Sequence, residues 1–272
     1  MKFGIIYGIF KKFGRPISSR RFYFIFSTLV MMPFAIFDTL THFRATRSQF
    51  RGGYESRGNL EELKLFETGG RIGQVFKSLV GGALGTDVRY DNYRERYIDT
   101  FFAHMGDVKP ATVLEVGSGA SINLFYVNRR FPGTDCIGLD YTRKGSREAK
   151  DYWRDRGVVL SCVVGDVGTL PFADNSVDIV FSSHTLEQME EHRRYEGAIS
   201  EMHRVARVRA ILMEPGYELG NIPQRLYIRL RGTSRYILSA AMKSSYNVRS
   251  YRLLETVSNA LNPTMIVVID KN

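Results

Sequence analysis

Short apolar runs alternate with amphipathic segments through the second half of the chain. Residues 111–116, 136–139, 158–164, 177–181 and 210–213 are apolar runs of strand length, and residues 265–269 (Met-Ile-Val-Val-Ile) form a late one. Between them, residues 122–131, 146–156 and 193–205 repeat apolar positions at helical spacing. Residues 91–105 do the same with Tyr93, Tyr97, Ile98, Phe101 and Phe102, and lead into the first strand. Such alternation predicts a mostly parallel sheet with helices on both faces. Residues 52–87 carry glycines in patches (Gly52-Gly53, Gly69-Gly70, Gly81-Gly82, Gly85) and read as loops around one or two short helices.

The first 60 residues follow a different pattern. Residues 22–37 form an uncharged run of 16, preceded by Arg20 and Arg21 and ended by Asp38. As a helix this run reaches roughly 24 Å, short of the ~30 Å hydrocarbon core, and Pro33 kinks it. It lies too far from the N-terminus, and lacks the small-residue cleavage site, for a secretory signal. Basic residues are denser before the run than after it. A full span would therefore export the rest of the chain. Two readings stay open: an interfacial or re-entrant anchor on an anionic membrane surface, or an apolar lid packed on the following domain.

Charge sharpens that contrast. Residues 1–60 carry a net +8, residues 61–220 a net −4 and residues 221–272 a net +6. Basic ends suit an anionic partner, whether lipid headgroups, nucleic acid or a phosphorylated substrate, or else a solvated face. The two cysteines, Cys136 and Cys162, sit in apolar runs and read as reduced, buried thiols. No metal-ligand spacing is present, so no metal is expected.

The candidate chemistry centres on Val113-Leu114-Glu115-Val116-Gly117-Ser118-Gly119-Ala120-Ser121. A buried strand ends in a glycine loop that opens a helix, at the sheet edge where doubly wound folds bind ligands. The dinucleotide fingerprint requires a third glycine where Ile122 stands. Glu115, just before the loop, would repel a pyrophosphate and suits a cationic ligand. Asp140 ends the second strand, where a carboxylate accepts from ribose hydroxyls. Asp166 follows the third strand, beside Val167, in a place that suits an adenine amino group and ring face. Acids at three successive strand ends make a set.

Here the sequence resembles class I S-adenosylmethionine-dependent methyltransferases, in the large group related to small-molecule methyltransferases. The resemblance covers about residues 88–215. Beyond the glycine loop it rests on Gly138-Leu139-Asp140, Gly165-Asp166, the run from Leu170 to Val180 (Leu-Pro-Phe-Ala-Asp-Asn-Ser-Val-Asp-Ile-Val), Ser182 to Gln188, and Glu201 to Val205. It implies an α/β, Rossmann-like doubly wound fold with S-adenosylmethionine as cofactor, plus an N-terminal helical or apolar extension. It further implies that Glu115, Gly117 and Gly119, with Ser118 between them, cradle the methionine portion. Asp140 would hold the ribose with Tyr141 beside it, Asp166 and Val167 would frame the adenine, and Ser182 and Ser183 would lie under the sulfonium. Ser121 stands where many members have glycine, although serine is a good helix N-cap. Gln188 stands where a histidine is frequent.

His184 follows the fourth strand at the same edge and is the candidate general base, with an ordinary imidazole pKa of ~6.5; the alternative is a pocket-lining residue. Glu214 and Tyr217, after the fifth strand, are expected to line an acceptor pocket. Residues 222–251 are rich in arginine and tyrosine and are expected to cap the substrate. The expected organisation is an extension over 1–60, then a methyltransferase domain over 61–272 with a capping insertion at about 216–255. The expected function is methyl transfer to a small-molecule, sugar or lipid-linked acceptor, in the cytoplasm or on the cytoplasmic membrane face. RNA methylation and non-catalytic cofactor binding are the alternatives.

Overall fold

The computed structural model describes residues 90–106, 108–189, 192–230, 235–243, 245–254 and 262–271. The extension over 1–60, its apolar run at 22–37 and the glycine patches of 52–87 lie outside the described residues. In chain order the elements are α1 (Tyr90–Met105), β1 (Thr112–Val116), α2 (Ile122–Arg130), β2 (Asp135–Asp140), α3 (Arg143–Arg154), β3 (Ser161–Val164) and β4 (Val177–Ser183). A 3-10 turn (Leu186–Gln188) is followed by α4 (His192–Val205), β5 (Ala206–Pro215), α5 (Ile222–Leu230), α6 (Ile237–Lys243), β6 (Asn247–Leu253) and β7 (Thr264–Asp270). Among the described residues, no helix is long and apolar enough to cross a membrane.

The strands form one sheet in the order β3-β2-β1-β4-β5-β7-β6. β1 to β5 are parallel, and β7 runs antiparallel to both β5 and β6. The chain winds outward from β1 to β3 and then returns to place β4 on the other side of β1. Loops after β1 and β4 therefore diverge, which opens a crevice at their carboxyl ends.

The central strands β1, β4, β5 and β7 are buried on both faces, and their successive side chains enter two opposite cores. Val113, Ile179 and Ile211 pack with Ile98, Phe101 and Met105 of α1, Leu124 and Val127 of α2, and Trp153 of α3. Leu114, Val116, Val180 and Leu212 pack with Ile199 and Met202 of α4 and Ile237 and Ala241 of α6. Each fully buried side chain of this kind contributes about 1.5–3 kcal/mol. Cys136 and Cys162 are free thiols, and burial pushes Cys136 up to about 12.

The expected strands and helices are present, with differences at α3, β3, β6 and β5, the last running over Ala206–Pro215 rather than 210–213. α3 starts at Arg143 rather than near residue 146, because Thr142 caps it by accepting from the Gly145 amide at 3.3 Å. β3 is shorter than its valine-rich run: Val158 closes the end of α3 on the Trp153 carbonyl, and Val159 is exposed. β6 falls inside the stretch expected as a cap. It is the edge strand of the sheet, and its half-exposed Asn-Val-Arg-Ser-Tyr-Arg-Leu pattern hides a strand among arginines.

The Leu170-to-Asp174 run is fastened by α4. The Arg204 guanidinium donates to the Leu170 and Phe172 carbonyls, to Asp174 and to Glu201, and Glu201 accepts from the Leu170 amide. At the start of β4 Asp178 accepts from the amides of Ala111 and Thr112 and from Arg207, which fixes the start of β1. Replacing Arg204 by Ala is expected to cost about 1–2 kcal/mol in urea unfolding, because it removes the donor to the Phe172 carbonyl and one of the two donors to the Leu170 carbonyl. Arg204 and the Leu170 amide hold the Glu201 carboxyl below its ordinary value. Asp178 is also held low, since Arg207 and two amides outweigh its burial. For both acids the folded state binds the proton less well than the unfolded chain. Their contribution is complete above the ordinary carboxyl range and lost as pH falls below it. Acid unfolding of Arg204→Ala should accordingly show a shallower slope below pH ~4.5 than the parent.

Candidate active site

The loop after β1 is built from left-handed backbone. Gly117 (φ 66°), Gly119 (φ 49°) and Ser121 (φ 56°) all adopt it. Two glycines accept that geometry without penalty, while a serine pays about 1–2 kcal/mol for it. Ser121 was expected to cap α2 with its hydroxyl, and it does not. An N-cap needs extended backbone, whereas left-handed Ser121 makes no side-chain cap bond; its Oγ instead lies 3.4 Å from Ser118 Oγ.

Three neighbours hold this loop. From β2, the Leu139 carbonyl accepts from the Ser118 amide at 2.9 Å, and Asp140 Oδ2 accepts from the Gly119 amide at 3.0 Å. From α3, the Trp153 indole donates to the Ala120 carbonyl at 2.8 Å. From the segment after β4, the Thr185 hydroxyl donates to the Gly117 carbonyl at 3.3 Å. A Cβ on Gly117 would lie 2.2 Å from Thr185 Cγ2, and one on Gly138 would lie 2.6 Å from Ser118 Oγ. Both glycines are required by close approach.

The acids at the strand ends are placed as follows. Glu115 is buried, and its Oε1 accepts from the Asn123 amide group of α2 at 2.6 Å. Asp140 also accepts from the Thr142 amide and hydroxyl, each at 2.9 Å. It thereby links the glycine loop to the start of α3, and a carboxylate retains capacity for a further donor. Tyr141 beside it is exposed. Asp166, past the end of β3, is exposed and accepts from the Gly168 amide at 2.8 Å, while Val167 packs partly into the core. The Gly165 amide donates to the Asp140 carbonyl, so the β2 and β3 ends are joined. Ser182 is buried, and Ser183 Oγ lies 2.8 Å from the Tyr97 hydroxyl of α1.

Past β4 lies a cluster that sequence alone read only in part. His184 has left-handed backbone (φ 53°), with Nδ1 3.2 Å from Glu187 Oε1 and Nε2 2.8 Å from Thr264 Oγ1. Glu187 can only accept when ionised, which assigns the proton to Nδ1 and leaves Nε2 to receive the Thr264 hydroxyl. Glu214 was expected to line a pocket. It is instead wholly buried beneath the 3-10 turn, and it accepts from the successive amides of Thr185, Leu186 and Glu187 at 3.2–3.3 Å. Burial pushes its carboxyl up to about 7, opposed by His184 and reinforced by Glu187. Tyr217 packs edge-on against Tyr236. The contacts of Tyr97, Thr185 and Thr264 carried no signal in the sequence, since each is made to a partner distant along the chain.

Replacing Gly117 by Ala is expected to cost more than about 2 kcal/mol, from the left-handed backbone and the overlap with Thr185. Thr185→Gly in the same chain should recover part of that loss, and a double-mutant cycle in urea measures the coupling. Glu214 gives a pH signature of opposite sign to Glu201. Its folded value lies above the ordinary 4.5, so its contribution is present below that value and declines as pH rises towards about 7. Thermal unfolding across that window should show the decline, and Glu214→Gln should flatten it.

The family profile described as "Methyltransferase domain" matches residues 114–213. The chain is 33% identical over 90 residues to malonyl-[acyl-carrier protein] O-methyltransferase of Xylella fastidiosa (strain M23), covering 32% of this chain and 30% of that one. It is 35% identical over 97 residues to demethylmenaquinone methyltransferase of Roseiflexus sp. (strain RS-1), covering 36% and 39%. The chain thus spans about a third of the length of these curated relatives. The fold is shared with geranyl diphosphate C-methyltransferase from Streptomyces coelicolor A3(2), solved with S-adenosyl-L-homocysteine (TM-score 0.53, 13% identity, 65% of this chain and 79% of that one). It is also shared with the PH0226 protein from Pyrococcus horikoshii OT3 (TM-score 0.51, 17% identity, 69% and 94%). A left-handed glycine loop braced at the β1/β4 crevice, with a carboxylate at the next strand end, fits the S-adenosylmethionine that serves this domain type. Residues 114–213 are a methyltransferase domain of the class I, S-adenosylmethionine-dependent family.

Proposed function

We propose that this chain transfers a methyl group from S-adenosylmethionine to a small-molecule, sugar or lipid-linked acceptor, close to the cytoplasmic face of a membrane. The observation that carries the reading is the position of Thr185. Its side chain lies against Gly117 of the cofactor loop, and its amide donates to Glu214 beside His184. The glycine loop after β1 and the segment after β4 that carries the candidate base are therefore in direct contact.

In this reading Glu115, Gly117, Ser118 and Gly119 surround the methionine portion, Asp140 and Tyr141 the ribose, Asp166 and Val167 the adenine, and Ser182 and Ser183 the sulfonium end. The bound cofactor supplies an activated methyl group. What the protein contributes is alignment of the acceptor and exclusion of water. His184 keeps its proton on Nδ1 through Glu187, and Nε2 takes the proton of an acceptor hydroxyl that displaces Thr264. The basic ends of the chain and the run at 22–37 support a location near anionic lipid.

Methyl-labelled cofactor supplied with fractionated cell extract is expected to label lipid or small molecules. Label in RNA alone, or in no fraction, would contradict the acceptor class. With the labelled acceptor in hand, His184→Gln should lower kcat by about 10²–10⁴ at unchanged cofactor affinity. An unchanged kcat would make His184 a pocket-lining residue only.

A further inference from the structure

We infer that the outward face of α5 docks on an anionic lipid surface and presents the acceptor end of the sheet to the bilayer. Residues 219–254 hold seven Arg or Lys (Arg225, Arg229, Arg231, Arg235, Lys243, Arg249, Arg252) and no Asp or Glu. Within this segment α5 is two-sided. Tyr227 and Ile228 are buried, while Ile222, Arg225, Leu226 and Arg229 are exposed at the spacing that places them on one helix face. Ile222 is 82% exposed and Leu226 43%, so two aliphatic side chains stand exposed on the face that carries Arg225 and Arg229.

That combination selects the occupant. Phosphate-rich nucleic acid would use the arginines and gain nothing from Ile222 or Leu226. A bilayer surface uses both, because headgroups neutralise the arginines and the aliphatic tips enter the acyl boundary. Tyr236, 44% exposed beside Arg235, extends the same composition beyond α5. The sequence carries an apolar run preceded by two arginines at residues 22–37.

The face is also correctly placed. The Arg225 guanidinium donates to the Glu218 carbonyl, and Glu218 in turn accepts from the Leu238 and Ser239 amides that open α6. α5 is thus fastened to the exit of β5, whose last residues are Glu214 and Pro215. The inference rests on the proposed methyl transfer for its purpose, since a membrane-facing rim gives a lipid-linked acceptor a short path to His184. Docking itself is measured without turnover.

The chain has one tryptophan, Trp153, which is 1% exposed and bonded to the Ala120 carbonyl. Leu226→Trp in the full chain therefore adds a reporter at the proposed face alone, and Ile222→Trp provides a second position. With vesicles of phosphatidylcholine and phosphatidylglycerol carrying brominated acyl chains, the added tryptophan is expected to shift to the blue and be quenched. Phosphatidylcholine alone should have no such effect, and Arg225→Gln and Arg229→Gln should each weaken the response by about fivefold. The inference is overturned if the tryptophan stays unquenched on the anionic vesicles. It is equally overturned if it responds to poly(U) RNA or to an acidic carrier protein and not to lipid. Calorimetric binding of S-adenosylhomocysteine by the same variant separates the two claims. Silence with intact cofactor binding removes the docking alone, and quenching without cofactor binding removes the catalytic reading alone.

Discussion

The structure turns on the absence of a side chain at Gly117. At that position the backbone is left-handed and Thr185 occupies the space a Cβ would need. The contact brings the end of β1 and the segment after β4 together across the point where the chain reverses its winding direction. Everything the site requires depends on this approach. The glycine loop takes its place over the end of β2, Asp140 reaches the Gly119 amide, and the Thr185 segment is held in a turn that points His184 along the same edge. A larger residue at 117 would separate the two halves of the crevice.

The turn after β4 is held by an uncommon choice of group. Glu214 is a fully buried carboxyl group that accepts from three amides in succession. Burial raises its affinity for a proton while the amides favour the charge, so it sits close to balance near neutral pH. A neutral residue of the same shape would be less costly to bury. The carboxylate is explained by its ability to accept several amides at once, which an apolar side chain cannot do.

Much of the architecture was legible in the residues themselves. Apolar runs of strand length marked β1, β2, β4, β5 and β7, since the central strands are buried on both faces and the signal is continuous. β6 was hidden because an edge strand needs only a half-buried pattern, and arginine and tyrosine on its open side resemble a loop. The cofactor loop and the acids at its edge were legible because glycine and carboxylate requirements are local to a strand end. The acceptor side was less so. Ser121 looked like a helix cap until its backbone proved left-handed, and Glu214 looked like a pocket residue until the turn proved to cover it. No local pattern marks the contacts of Thr185, Thr264 and Tyr97. Their roles arise from contacts between elements far apart in sequence, which spacing does not encode.

The central claim is that the braced glycine loop and Asp140 together bind S-adenosylmethionine. Calorimetric titration of the full chain with S-adenosylhomocysteine, compared with Asp140→Ala, tests it most directly. The account predicts one site per chain in the parent and a loss of at least about tenfold in affinity in the variant, the scale of a charge-assisted hydrogen bond. Equal affinity in the two proteins, or no binding by the parent, would contradict it.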